Sequence, residues 1–299
     1  MMAARAPYLF GAIAVLFGLV IDLRVGVVLG GWLAAWTANA WIARRGGPGV
    51  RWLVPAIFGL TLIALWEAIV QLFAVPFVIL PPPSAVAARI AASTDVLYAD
   101  FIQTFVRGAL SGYAMGAVAG VLVALLADRF RFLGRGLLPV GNMMAALPIV
   151  GTAPIFVMWF GSNWESKAAV VFTMVFFPVL VNTIQGLKEA TAIQRDLMTT
   201  YAAGYWQTLW RLRLPMAMPF IFNGLKIGST LALIGAIVAE FFGSPIVGMG
   251  FRISTSVGTL ALDMVWAEIA VAALAGSLFY GAVTLVERAV TFWHPSQRR

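Results

Sequence analysis

Eight runs of apolar residues, each close to the ~20 residues that a helix needs to cross a bilayer, dominate this sequence. The runs are 7–21, 25–43, 53–75, 106–127, 138–160, 168–187, 218–242 and 265–287. Hydrophobic residues make up 62% of the chain and charged residues 11%, whereas soluble domains are about 45–50% apolar and about 25% charged. The pattern therefore predicts an all-α polytopic membrane protein and excludes soluble and disordered classes.

The residue types that catalysis and metal binding usually need are scarce. The chain has no cysteine and one histidine, His294, which excludes thiolate zinc sites and the usual nucleophile–base pairs. No lysine follows a glycine, so the phosphate-binding Gly-x-x-x-x-Gly-Lys pattern is absent. We therefore predict no catalytic, cofactor-binding or metal-ligating residue. The net charge of +8 is interpreted as basic loops on one side of a membrane rather than as a nucleic-acid surface.

The first apolar run has two interpretations. It is short and is followed by Asp22 and Arg24, as a cleaved signal peptide would be. No polar cleavage region follows, however, and the second run starts at once, which favours a tight helical hairpin. We predict an N-terminal transmembrane hairpin over residues 1–50 and a second domain over residues 51–299.

The basic residues orient the chain. If the N-terminus lies inside and eight spans alternate, only five of the 20 lysines and arginines fall outside, namely Arg24, Arg89, Arg107, Lys167 and Arg252. Cytoplasmic loops carry the excess of basic residues in membrane proteins. We therefore predict that both termini are cytoplasmic. Residues 76–105 then lie outside, where Ser84 follows three prolines and is predicted to cap a helix over 85–92.

The inside loop of residues 188–217 is predicted to form two short helices. The first runs from Lys188 to Ala203, Gly204 interrupts it, and Tyr205–Leu214 is amphipathic and aromatic. Such an element either lies at the lipid interface or docks a soluble partner, whose groove its aromatic residues fill. The pattern alone leaves both interpretations open.

At this loop the chain resembles the permease subunits of ABC importers, the binding-protein-dependent inner-membrane components. The segment Tyr201–Gly228 is similar to their cytoplasmic loop. Other segments resemble the sulfonate, taurine and nitrate type in family order, over roughly residues 60–290: Leu65–Glu67, Leu80–Val86, Ala146–Gly161, Val238–Phe241 and Gly248–Gly250. The resemblance implies a six-helix type I importer core, formed by spans three to eight, with the first two spans as an N-terminal addition.

The resemblance also implies partners: two ABC ATPase subunits that bind ATP and magnesium, an extracytoplasmic substrate-binding protein, and a second permease chain in a homodimer. The location implied is a bacterial inner membrane. The family loop begins with an acidic residue and has a glycine six residues later; those positions here are Asp196 and Ala202, and Gly204 comes two residues late. The residues implied to couple to the ATPase are Asp196, Ala202, Ala203, Gly204, Tyr205, Trp206, Leu209, Arg211 and Pro215.

The candidates for the translocation pathway are polar residues, a helix-breaking proline and one methionine within the spans. Burying a polar group in a membrane is energetically unfavourable, so such residues are often functional. The candidates are Glu67, Asn142, Met143, Pro148, Asn223 and Glu240. Each also has a structural interpretation: Glu67 pairs with a neighbouring helix, Glu240 meets water at the interface, the asparagines (Asn182 included) bond between helices, and the methionine fills a core. Gly108, Gly112, Gly116 and Gly120 form a small-residue stripe that predicts a closely packed helix, from this chain or from its dimer mate.

The alternative is an ion-coupled secondary transporter, in which Glu67 is the coupling site. The sequence does not determine the substrate.

Overall fold

The computed structural model describes residues 6–47, 49–145, 148–243 and 246–293, and their secondary structure is helical. His294 lies outside the described residues. The helices, numbered along the chain, are α1 Ala6–Ile21, α2 Leu23–Arg45, α3 Val50–Leu72, α4 Pro83–Ala92, α5 Thr94–Arg129, α6 Arg131–Ala145, α7 Ile149–Phe160, α8 Trp164–Leu187, α9 Ala192–Thr200, α10 Tyr205–Phe242, α11 Met249–Gly258 and α12 Leu262–Val290.

Six of the described helices are long and apolar enough to cross a membrane: α2, α3, α5, α8, α10 and α12. The predicted span over 138–160 is not one continuous helix, because it is divided into α6 and α7. The division lies at Pro148, whose extended backbone (φ −69°, ψ 114°) precedes α7. Proline has no backbone N–H and is tolerated at the start of a helix rather than in its interior, and α7 starts directly after Pro148.

The first two runs form the helices α1 and α2, of which only α2 is long and apolar enough to cross a membrane among the described residues. Asp22 separates α1 from α2, and its carboxylate accepts a hydrogen bond from Arg24 N at 2.8 Å. The two helices approach closely, since a Cβ on Gly26 would lie 2.9 Å from the Cα of Leu19. The small residue therefore sets the packing of these two helices.

The chain divides into two compact units. One comprises residues 1–92 and 259–267, and the other comprises residues 93–258 and 268–299. The predicted division at residue 50 stays a prediction.

The larger unit is built around α8, which packs against α5 on one side and α10 on another. Val171, Val175 and Val179 of α8 are fully buried. The glycine stripe lies against this helix of the same chain: Cβ atoms on Gly112 and Gly116 would lie 2.6 and 2.8 Å from the backbone oxygens of Ala168 and Phe172. Lipid supplies no hydrophobic force between helices, so close backbone packing of this kind holds the bundle together.

Both α5 and α10 contain a stretch of wider π-helical turns, over Ile102–Leu110 and Leu209–Arg213. The predicted separate helix Tyr205–Leu214 therefore does not end, because it continues into the membrane span as the start of α10. The π-helical turn directly precedes Pro215. Its larger diameter makes room for the proline ring, which in an α-helix clashes with the carbonyl four residues earlier.

The predicted helix Lys188–Ala203 is shorter than expected, since α9 covers Ala192–Thr200. Thr191 and Gln194 form a reciprocal capping box at its start, with Gln194 Oε1 accepting from Thr191 N at 2.9 Å. This cap satisfies amide groups that helix propensity alone leaves unpaired.

Candidate functional site

The helix α9 and the first turns of α10 carry apolar side chains that the described residues leave exposed. We call this segment, residues 192–213, the arm. Five of its large apolar side chains are more than half exposed: Ile193, Leu197, Tyr201, Trp206 and Trp210. The exposed side chain of Asp196 lies beside them and forms no ion pair with any described residue.

The turn between α9 and α10 depends on Ala202. Ala202 has φ +53°, in the left-handed region that favours glycine. Gly204, at φ −69°, does not need that freedom; its N–H donates to Gln207 Oε1 at 3.1 Å and starts α10. Ala202, the position at which the resemblance places a glycine, therefore adopts a backbone conformation that glycine favours. Ala203 follows it and is half-buried.

Only part of the predicted docking set faces outward. Trp206 and Arg211 are exposed, whereas Leu209 is 1% exposed and packs against Leu187, Ala217 and Ile221. Leu209 is therefore unavailable to a partner, whereas the neighbouring Trp210 is 61% exposed. The helical turn that places Leu209 inward decides this difference. Pro215 is half-buried in the same helix.

A single guanidinium fastens the arm to two other helices. Arg213 donates from Nη1 and Nη2 to Asp128 of α5 at 2.8 and 2.5 Å. Its Nε and Nη2 also donate to the carbonyl of Leu187, at the end of α8, at 3.0 and 2.8 Å. Tyr205 Oη completes the group by donating to Asp128 Oδ2 at 2.8 Å. We call these four residues the clamp.

A second polar group lies at the other end of α5 and α10. Thr104 Oγ1 donates to the carboxylate of Glu240, with both O···O distances 2.9 Å, and accepts from Met249 N at 2.7 Å. Glu240, which is 2% exposed, also accepts from Gly250 N at 2.8 Å. The predicted interfacial carboxylate is thus buried and bonded to protein groups.

Asp100 extends this second group and anchors α11. Its fully buried carboxylate accepts from Gly248 N at 2.6 Å and from Arg252 Nε at 2.8 Å. Three successive backbone N–H groups, those of residues 248–250, therefore bind to side chains of α5 and α10. We call this group, with Asp100, Thr104, Glu240 and Arg252, the latch.

Two of the predicted pathway residues meet a structural partner. Asn223 Nδ2 donates to Asn182 Oδ1 at 2.9 Å, which joins α10 to α8. Glu67 accepts from the backbone N–H and the hydroxyl of Ser84 at 2.9 and 2.8 Å, and from the side chain of Gln71. Glu67 therefore caps the start of α4, where Ser84 itself was the predicted cap. The N–H of Ser84, which a helix start leaves unpaired, is thus bonded by the longer side chain of Glu67 from the preceding helix α3.

The remaining pathway candidates lie in the middle segment. Met143 of α6 is 72% exposed and Pro148 is exposed ahead of α7. The side chain of Asn142 lies outside the described part of the structure. Within the larger unit, the described candidates Asn223 and Glu240 have different partners, so these two do not belong to one polar group.

A cavity of about 320 Å³ lies between α7, α8 and α10. Its aromatic walls are Phe156, Trp159 and Phe177, and Thr152 and Thr173 contribute hydroxyl groups. Both hydroxyls donate to carbonyls of their own helices, at 3.2 and 3.0 Å, so their oxygens remain as acceptors toward the cavity. None of the described residues that line the cavity is charged.

The sequence reasoning missed the clamp and most of the latch. Asp128 and Arg213 stood in the sequence as ordinary loop charges, and Asp100 and Thr104 preceded the predicted start of a span. One signal was available. Asp128 and Arg213 each lie close to the end of an apolar run, where side chains of opposite charge on neighbouring helices can form ion pairs.

Comparisons with known proteins agree with the geometry. The family described as "Binding-protein-dependent transport system inner membrane component" matches residues 116–292. The formylaminopyrimidine transport permease protein of Halalkalibacterium halodurans is 31% identical over 245 residues, which cover 82% of this chain and 97% of that protein. The riboflavin transport system permease protein of Chloroflexus aurantiacus is 30% identical over 237 residues (79% and 88%). The taurine transport system permease protein of Escherichia coli is 28% identical over 240 residues (78% and 86%).

Proposed function

Because the chain belongs to the family of binding-protein-dependent transport system inner membrane components, the permease subunits of ABC importers, we propose that it forms the membrane passage of an ATP-driven importer and that its arm docks an ABC ATPase. The fold is that of a multi-pass inner-membrane protein. The exposed aromatic surface of the arm is the single observation that carries this proposal.

The surface of the arm suits a soluble partner. Aromatic anchors that fill pockets dominate the energy of many protein interfaces, and Trp206 and Trp210 stand out from the helix as such anchors. Asp196 adds an exposed negative charge for a basic residue of the partner. In this proposal the ATPase binds ATP and magnesium, and this chain contributes no catalytic or metal-ligating group.

The remaining partners follow the same scheme. Two copies of this chain enclose the pathway, and an extracytoplasmic binding protein delivers the solute to the end that holds the latch. The arm and both termini are cytoplasmic. Movement of the arms by the ATPases switches the bundle between two access states. The ion-coupled alternative depends on Glu67, and the bonds from Ser84 and Gln71 give that carboxylate a structural use instead.

For the substrate, we propose a neutral nitrogen heterocycle. The named substrates of two relatives, formylaminopyrimidine and riboflavin, are of this kind. The aromatic cavity supports it, since flat rings stack on Phe156 and Phe177 and ring N–H groups find acceptors in Thr152 and Thr173. A sulfonate such as taurine would meet no cation there.

Co-purification tests the ATPase partnership. A tagged chain is extracted from its own cells in mild detergent, and the eluate is assayed by mass spectrometry and for ATP hydrolysis. We expect a stoichiometric ATPase subunit, which Trp206→Glu and Trp210→Glu each remove. The control is Trp52→Glu, which alters a tryptophan that is 79% exposed in another part of the chain. A chain that elutes without an ATPase would contradict the proposal.

The substrate has a separate test. The complex, reconstituted with its binding protein, is assayed for ATP hydrolysis with riboflavin, with formylaminopyrimidine and with taurine. We expect stimulation by one of the heterocycles. Stimulation by taurine alone would refute the substrate and leave the transport function intact.

A further inference from the structure

The arm is attached to the membrane helices at two kinds of contact. Leu209 packs into a buried apolar cluster, and the clamp adds an ion pair beside it. The π-helical turn of Leu209–Arg213 forms the last part of the arm, where it joins the rest of α10. Because hydrogen-bond geometry departs from that of an α-helix in such a turn, this is the point at which the arm would bend if nothing else held it.

The clamp spans this point. Arg213 lies at the membrane end of the π-helical turn and Tyr205 at the arm end, and both bind Asp128. The ion pair is bidentate, which fixes the direction of the guanidinium as well as its distance. The same guanidinium binds the carbonyl of Leu187, one of the acceptors that a helix end leaves unpaired.

The two helices that meet in the clamp meet again in the latch. Asp128 and Thr104 lie on α5, and Arg213 and Glu240 lie on α10. At 1.5 Å per residue the two groups are roughly 35–40 Å apart along each helix. The two helices are therefore bonded to each other near both of their ends.

We propose that Arg213 and Asp128 are positioning residues for coupling: they make the arm rigid with α5, α8 and α10, so that a push on the arm reaches the latch. The proposal rests on the proposed function for the source of that push. It assigns to Tyr205 an inward role in the clamp, in place of the docking role that its aromatic ring indicated. Neither residue is required to touch the ATPase or the solute.

The first test needs only the chain itself. The sequence has no cysteine, so spin labels are attached at Thr199→Cys in the arm and Val118→Cys on α5, both exposed. We expect a narrow distance distribution that broadens in Arg213→Gln and Asp128→Asn, with a smaller effect in Tyr205→Phe. A distribution that stays narrow in all three variants would overturn the proposal.

A matched control separates the clamp from general loss of an ion pair. Lys226 and Glu287 form an ion pair in the same unit at 2.8 Å, and their side chains are largely buried, as those of Arg213 and Asp128 are. Lys226→Gln should leave the distance between the arm and α5 narrow. Equal broadening in Lys226→Gln and Arg213→Gln would show a general structural effect and would also refute the positioning role.

The second test uses the complex with its ATPase. Position 257 on α11 is half exposed, so a thiol reagent can label the variant Val257→Cys there. The rate of this labelling is measured with and without ATP and vanadate. We expect the nucleotide response of wild type to fall about tenfold in Arg213→Gln, within the range typical of coupling between sites, while the ATPase still co-purifies and hydrolyses ATP. Arg213→Lys, which keeps the charge but not the bidentate geometry, should recover only part of the response.

The outcomes distinguish the two proposals. If no ATPase co-purifies with wild type, the proposed function fails, and the spin-label distances still decide whether the clamp holds the arm. If the ATPase binds but Arg213→Gln responds as wild type does, the positioning role fails alone. If ATP and vanadate leave the labelling rate at Val257→Cys unchanged in a complex with an intact clamp, movement of the arm does not reach the latch and this part of the proposal is refuted.

Discussion

Thr104 and Glu240 lie 136 residues apart in sequence, and the hydroxyl of Thr104 donates to the carboxylate of Glu240 inside the bundle. The same hydroxyl accepts from Met249 N, and the same carboxylate accepts from Gly250 N. Two side chains therefore hold the start of α11 against α5 and α10. A buried polar group that loses its partner costs about 1–3 kcal/mol, so each member of this group should be measurable.

Thr104→Val keeps the shape of the side chain but removes the hydroxyl. It removes one of two donors to Glu240, the other being Gly250 N, and leaves Met249 N without its acceptor. We expect a loss of about 1–3 kcal/mol in the free energy of unfolding. Chemical unfolding in detergent measures it. The control is Thr230→Val, because the hydroxyl of Thr230 bonds only to a carbonyl of its own helix, that of Ile227. Equal losses in the two variants would contradict the special role of Thr104.

Gly250→Ala should be among the most damaging single-methyl additions in the chain. A Cβ at this position would lie 2.2 Å from the carbonyl oxygen of Ile237, so α11 must move away from α10. Overpacking of this kind costs about 1–3 kcal/mol, occasionally more. Thermal unfolding and the yield of folded protein report it.

Gly258→Ala is the matched comparison for Gly250→Ala. It adds the same methyl at the other end of α11, where nothing lies within 4 Å, and it should leave both measurements close to wild type. A Gly250→Ala protein that is as stable as Gly258→Ala would show that α11 is not held where the structure places it.

Ala202→Gly should stabilise the turn of the arm. The left-handed conformation of Ala202 (φ +53°) costs an L-residue about 1–2 kcal/mol, whereas glycine adds about 0.4–1 kcal/mol of entropy to the unfolded chain. The balance favours glycine by a fraction of a kcal/mol. Slower hydrogen exchange of the arm amides should show it, and Ala203→Gly, which has no such strain to relieve, should speed exchange instead.

Glu67 and Ser84 should show coupled effects on stability. Glu67→Gln and Ser84→Ala each remove part of one bonded group, and residues in contact typically couple by about 0.5–3 kcal/mol. A double-mutant cycle, measured by chemical unfolding, gives the coupling free energy. Strictly additive effects would show that the two side chains do not interact in the membrane. They would also return Glu67 to the candidates for a transport role.

The sequence by itself determined the class of fold and most of the spans. Apolar runs of bilayer length admit few structures other than helices, because every backbone group must be bonded within its own segment. The glycine spacing of α5 likewise predicted a close helix contact before any partner was known. These are local patterns, and a local physical rule interprets each of them.

Which side chains contact each other depends on the tertiary structure. The local sequence does not show that Leu209 is buried and Trp210 exposed. Which of the two side chains points inward depends on the position of α8. Asp128 and Arg213 are 85 residues apart, and their pairing follows from the antiparallel packing of α5 and α10. Glu240 is a similar case, because its carboxylate accepts from Gly250 N at the start of α11, which only the tertiary packing brings within reach. Charges in an apolar bundle take whichever partners the packing brings within reach, and the sequence does not contain that geometry in readable form.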